Sequence, residues 1–411
     1  MNQQSQGLSI AFLFIWLFIS CSEKIHEAKD QSPETSVTMG SPESNFGEPY
    51  LFTSTKGLTY LSWIEKTGGK SELKYATWVD DSWSDPITIA TGENWFVNWA
   101  DYPQISTFEN GNLIAFFLEK SGEGPFAYDI KVTLSENGTD WSDPFTLHDD
   151  GTETEHGFVS FAAWGDQMFV AWLDGRGTGG GSHENTHHDH HGHQGAMTLR
   201  GALISEKGIK TEEWELDNRV CDCCQTTAVV TENGPVVVYR DRSEAEIRDM
   251  GIVRFENGNW TTPLPLYSDF WKVAGCPVNG PRAASLGNSM AVTWYSAANE
   301  KPEVKVVFSN DGGKSFGKPI KIDLGKTIGR LDLEMLDDNT ALITWMEEEE
   351  ILARKVHASG KTEAVISIAK SSSKRASGFP QMTKNGNAIL FAWTDAQGDQ
   401  SVIKTKKLIM D

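Results

Sequence analysis

Cysteine is scarce in this chain of 411 residues: there are five in all, and three fall within four positions in RVCDCCQTTA (219–228). Positive charge is short as well. The 36 Lys and Arg stand against 57 Asp and Glu, a formal net charge of −21, which argues against nucleic acid or anionic lipid as a partner because either would be repelled. Long apolar runs are missing apart from LSIAFLFIWLFIS (8–20), which is too short to cross a bilayer as a helix and has the length of a signal-peptide core. No amphipathic helical pattern of useful length occurs, which leaves an all-β chain. Tryptophan, by contrast, is plentiful at 15 residues, and points to a large, well-packed core.

The Ser20–Cys21 step that closes the apolar run resembles a bacterial lipobox. That resemblance implies that Cys21 is lipidated and becomes the first mature residue, and Ser22 fits outer-membrane sorting. Residues 22–44 are polar and rich in Ser, Glu and Pro, the composition of a tether. The expected organisation is a signal peptide over 1–20, a lipidated cysteine and tether over 21–44, and one domain over 45–411. Such a protein is a monomeric outer-membrane lipoprotein, periplasmic or surface-exposed, that touches the membrane only through its anchor.

Self-similarity sets the fold. Seven segments share a hydrophobic strand that ends in an aromatic and then polar residues: LTYLSWIEK (58–66), LIAFFLEK (113–120), MFVAWLDGR (168–176), PVVVYRDRS (235–243), MAVTWYSAA (290–298), ALITWMEEE (341–349) and AILFAWTDA (388–396). Their spacing clusters near the ~50-residue period of propeller blades. A second repeat, WSDP at 83–86 and 141–144, WTTP at 260–263 and FGKP at 316–319, follows four of them and precedes another alternating strand. Four strands per unit, all antiparallel, favour a β-propeller over a sandwich, because radial repetition leaves few exposed edges. Seven blades fit best, with six as the alternative. The last unit shows only three strands, so a strand near SVTMG (36–40) should close the ring.

SNDGGKSF (309–316) fits the Asp-box pattern S-x-D-x-G-x-[ST]-[WF], and SENGTDW (135–141) is a version one residue shorter. On these motifs and the blade repeat the chain resembles the sialidase-like, BNR-repeat propellers. The Asp-box is structural in that superfamily, so the resemblance implies a fold. Catalytic sialidases carry an Arg-Ile-Pro signature in the first blade, where this chain reads FGEPYLFTS without an arginine.

A propeller presents one face built from the loops that lead into each innermost strand and the loops between its second and third strands, and ligands bind there. That plan brings Cys221, Cys223, Cys224 and Cys276 into one sector with the loop SHENTHHDHHGHQG. In an oxidising compartment disulfides are the default, but bridges within so tight a cluster would be strained. Chelation accommodates all four thiolates, which as soft ligands favour copper or zinc. One disulfide with two free thiols and a merely buried cluster remain alternatives. His183, His187, His188, His190, His191 and His193 form a tract of metal-binding composition, or else a solvated insertion, and His156 is a further candidate ligand. Asp174, Arg176, Arg240, Asp241, Arg242, Asp249, Asn279, Arg282 and Arg330 could line the face for an anionic small molecule or glycan, since guanidinium forks bind such groups bidentately. Arg and Asp alternating in YRDRSEAEIRD (239–249) could equally pair with one another. The rival expectation is an exo-sialidase-like glycoside hydrolase or carbohydrate-binding propeller whose cysteines are disulfide staples.

Overall fold

A computed structural model describes residues 25, 32–37, 43–179, 195–398 and 400–410. The lipobox cysteine Cys21 and the histidine tract His183–His193 lie outside the described residues. The chain forms seven antiparallel sheets, so the seven-bladed reading holds. Their innermost strands are Asn45–Thr53, Ile105–Thr107, His156–Trp164, Thr227–Thr231, Arg282–Leu286, Thr327–Asp337 and Gln381–Asn385. Each touches the next around the axis, and the last returns to the first. The seventh sheet is completed by Thr35–Val37, which pairs with the C-terminal strand Gln400–Ile409. The closing strand therefore overlaps the expected SVTMG segment and starts one residue earlier.

The aromatic of each repeat has one job. Trp63, Trp172, Trp294, Trp345 and Trp393 are fully buried at equivalent points of their second strands, with Tyr239 in blade four. Their rings pack among residues from the two faces of neighbouring sheets, as Trp172 does with Phe116 and Ile130 of blade two. Truncating such a ring would cost about 3–5 kcal/mol. In two blades the acidic residue two positions on accepts the indole N–H: Trp172 donates to Asp174 at 2.9 Å and Trp345 to Glu347 at 2.8 Å. The Asp-box segments sit on the periphery, between third and outer strands, where Ser309 and Asp311 accept the amides of Gly313 and Ser315 at 2.9 and 3.0 Å.

A second device operates near the axis. Three innermost strands carry a Gly-X bulge whose second residue is left-handed: Glu48 (φ 54), Phe158 (φ 54) and Arg330 (φ 56). A side chain from the preceding blade caps two of these. Asp101 accepts the Phe158 amide at 2.8 Å, and Asn279 accepts the Arg330 amide at 2.7 Å. Gln225 does the same for the Gly280 amide at 2.8 Å, and Asp332 for Met382 at 2.7 Å.

The close approach at these clasps requires glycine. A Cβ on Gly280 would lie 2.0 Å from the Gln225 carbonyl oxygen, whereas one on Gly47 would meet nothing within 4 Å. Gly280→Ala should therefore lower stability by about 1–3 kcal/mol or more, with Gly47→Ala near neutral. Paired denaturant titrations check this, and equal midpoints for the two variants would contradict the clasp.

Candidate metal centre

Strand Lys210–Val220 ends blade three, and the next six residues cross to the innermost strand of blade four. This crossing carries CDCCQT. The Cys221 amide donates to the Arg240 carbonyl at 2.9 Å, which fixes the loop against the end of strand Gly234–Arg240. Cys221 and Cys224 are buried, Cys223 is half-buried and Cys276, in the loop that leads into blade five, is exposed. All four are free thiols. The sulfurs of Cys221 and Cys224 lie 2.9 Å apart, and those of Cys221, Cys223 and Cys224 all lie within 4.8 Å of one another. Cys276 stands outside that group of three but neighbours Cys223, whose thiol it helps to raise.

Positive charge surrounds this sulfur cluster. Arg248 donates to Cys221 Sγ at 3.2 Å. Burial would push the Cys221 thiol up, but hydrogen bonds with Cys223 and Cys224 and the guanidinium charges of Arg248 and Arg240 outweigh it and hold the thiol well below its ordinary value. The neighbouring Cys223 thiol likewise lowers Cys276 against the opposing effect of burial. Cys223 and Cys224 are pushed up, the former by its sulfur neighbours first and the latter by burial first. A cluster that already stabilises thiolate charge is suited to a cation, because a metal ion binds the deprotonated sulfur.

The other expected ligands fall into three places. Arg240 is buried and spends its donors on carbonyls: those of Asn279 (2.7 and 3.1 Å), Arg248 (2.6 Å) and Tyr295 (2.7 Å). Arg242 pairs with Asp222 at 2.7 Å and with Glu246 at 2.8 Å, and Arg248 joins the same Glu246. Asp249 accepts the Phe270 and Trp271 amides, and Asp241 is pushed up to about 6, chiefly by burial. The alternation in this loop is thus an internal network that braces the thiol loop. Arg330 donates to Ser377 and to the carbonyls of Ser373, Lys374 and Gly378. Arg282 alone of these arginines borders the axial cavity of about 240 Å³, with Tyr50, Asp332 and Glu334. Burial and the neighbouring Asp332 push the Glu334 carboxyl up to about 8 there.

His156 stands apart from the sulfurs. At the seam of blades two and three it belongs to two triads, one with His148 and Asp129 and one with Asp150 and Asp174, and Arg176 grips Asp174 bidentately at 2.8 Å. His148, Asp150 and the contact of Arg248 with sulfur escaped sequence reasoning. The spacing in LHDDGTETEH (147–156) was the available signal for the first two.

No protein-family model matches the chain, and no curated protein matches it either. Solved structures do. The polysaccharide lyase Uly1 superposes with a TM-score of 0.54 at 9% identity, covering 91% of this chain and 92% of its own. A protein of unknown function from Dyadobacter fermentans gives 0.53 at 12% identity, over 93% of this chain and 100% of the other. The α-L-arabinofuranosidase Arb93A from Fusarium graminearum gives 0.50 at 9%, over 90% and 94%. A sialidase is also among the similar folds. At these identities the likeness establishes the propeller architecture alone.

Arg240 is the strut on which the centre rests. Arg240→Met would leave the Asn279, Tyr295 and Arg248 carbonyls without their donor, at a cost of about 3 kcal/mol or more, and Arg240→Lys should not restore it. Urea unfolding of both variants checks this, and a wild-type midpoint for either would contradict it.

Proposed function

We propose that the protein is a lipid-anchored, extracytoplasmic propeller that binds copper or zinc through Cys221, Cys223, Cys224 and Cys276. The observation that carries this reading is the cluster of three free thiols in one loop, with the free Cys276 of a second loop next to Cys223, beside a guanidinium that favours the ionised form of Cys221. The two loops are brought to one another by the packing of blade four against blade five, and four sulfurs are the soft donor set that copper(I) or tetrahedral zinc prefers. Asp222 and Gln225, which flank the cysteines in sequence, tie the loop to Arg242 and to the Ala100 carbonyl (2.6 Å). They would orient the ligands without touching the ion.

A second reading concerns the same face. A cleft of about 420 Å³ is lined by Glu48, Lys66, Phe96, Asn98, Trp99 and Arg375, a mixture of aromatic surface and charge suited to an acidic glycan. Lyase and glycosidase neighbours of the same fold support a carbohydrate partner. The metal centre would then sit on a glycan-binding propeller and hold its loops in place.

One substitution tests the metal site itself. Cys223→Ser should reduce copper or zinc content from near-stoichiometric to background, measured by elemental analysis of purified protein with unchanged circular dichroism. Stoichiometric metal retained in that variant would refute the thiolate site.

A further inference from the structure

The seam between blades two and three holds a second constellation that the sulfur centre does not use. His148 follows the outer strand Phe145–Thr146 of blade two, and His156 begins the innermost strand of blade three, where it pairs across the ladder with Asp174. The two imidazoles stack with centroids 3.6 Å apart and planes 6° from parallel. Both residues are buried, His156 fully so.

Hydrogen-bond accounting leaves this seam with too many acceptors. His156 Nδ1 lies 3.2 Å from the Thr154 carbonyl and 3.3 Å from that of Tyr128. Carbonyls only accept, so Nδ1 carries the proton and Nε2 presents a lone pair. That Nε2 has no hydrogen-bond partner, yet it faces Asp150 Oδ1 at 3.3 Å and Asp174 Oδ1 at 3.8 Å. His148 Nδ1 abuts the same Asp150 oxygen at 2.7 Å, while its Nε2 turns toward Asp129 at 3.5 Å. Ligand atoms of His156, Asp150 and Asp174 therefore all lie within 4.8 Å of one another, with His148 held against Asp150 beside them. Two cations stand at its edge: Arg176 on Asp174 and Lys131 on Asp129. Three carboxylates against two cations leave a negative excess beside the lone pairs.

We propose that this seam is a divalent metal site, distinct from the sulfur cluster, with His156 Nε2, Asp150 and Asp174 as ligands. Its nitrogen and oxygen donors match borderline cations of the zinc, cobalt or manganese type, whereas the thiolates match soft ones. The outer partners are those such ligands need: backbone carbonyls hold the far nitrogen of His156, and His148 holds Asp150 at 2.7 Å. The competing state is a proton in place of the metal, with one ring an imidazolium.

Cobalt(II) added to the full chain separates these states. The parent for the test carries Cys223→Ser, and asparagine at the six histidines of 183–193, so that neither can capture the probe. It should retain one cobalt per chain, and X-ray absorption should show a nitrogen and oxygen shell with imidazole scattering and no sulfur. Asp150→Asn in that background should weaken cobalt binding by about tenfold or more. If the parent, folded by circular dichroism, retains no cobalt, or if Asp150→Asn binds it as tightly, the seam is a proton-filled network and the proposal fails. Failure of the sulfur site in the unmodified chain would leave this result unaffected.

Discussion

The feature on which the rest of this molecule depends is the clasp between adjacent blades near the axis, where a polar side chain of one blade accepts the backbone amide at the strained start of the next. Asp101, Gln225, Asn279 and Asp332 make four such contacts at 2.7–2.8 Å. The first three are buried and the fourth is half-buried, so an acceptor lost would strand a desolvated amide. The clasps also determine where the chemistry sits. Gln225 directly follows Cys224, and Asn279 lies three residues beyond Cys276. The contacts that set one blade against another therefore also set the two cysteine loops against each other.

Charge is handled in the same way. Arg240 is among the largest fully buried side chains, and it is tolerated because carbonyls of three residues take its donors while the Trp271 ring covers it, 4.8 Å from the guanidinium carbon. Its fixed charge, with that of Arg248, makes the Cys221 pocket receptive to thiolate, and then to a cation that replaces the missing protons. The arginines thus act on the centre from behind and are not themselves spread over an open surface.

Much of this was legible in the sequence, for an identifiable reason. The blade repeat places an aromatic at the same point of each second strand, and burial of Trp63, Trp172, Trp294, Trp345 and Trp393 follows directly from that spacing. The cysteines stood out through scarcity, and propeller geometry alone sufficed to bring Cys276 toward the other three. Side-chain direction was not legible. Arg240, Arg242 and Arg330 could face a ligand or the protein, and the choice turned on bulges and left-handed residues such as Arg330 itself, which periodicity does not reveal. His148 and His156 meet only because two blades share a seam, a contact set by strand twist and loop path.

The four cysteines are proposed as one ligand set. Elemental analysis of the protein purified without a histidine tag, combined with a count of free thiols under denaturing conditions after metal removal, tests it most directly. Near-stoichiometric copper or zinc with four titratable thiols in the mature domain is the predicted result. Absence of metal with two or fewer thiols would contradict it, and would make the cluster a disulfide staple beneath a glycan-binding face.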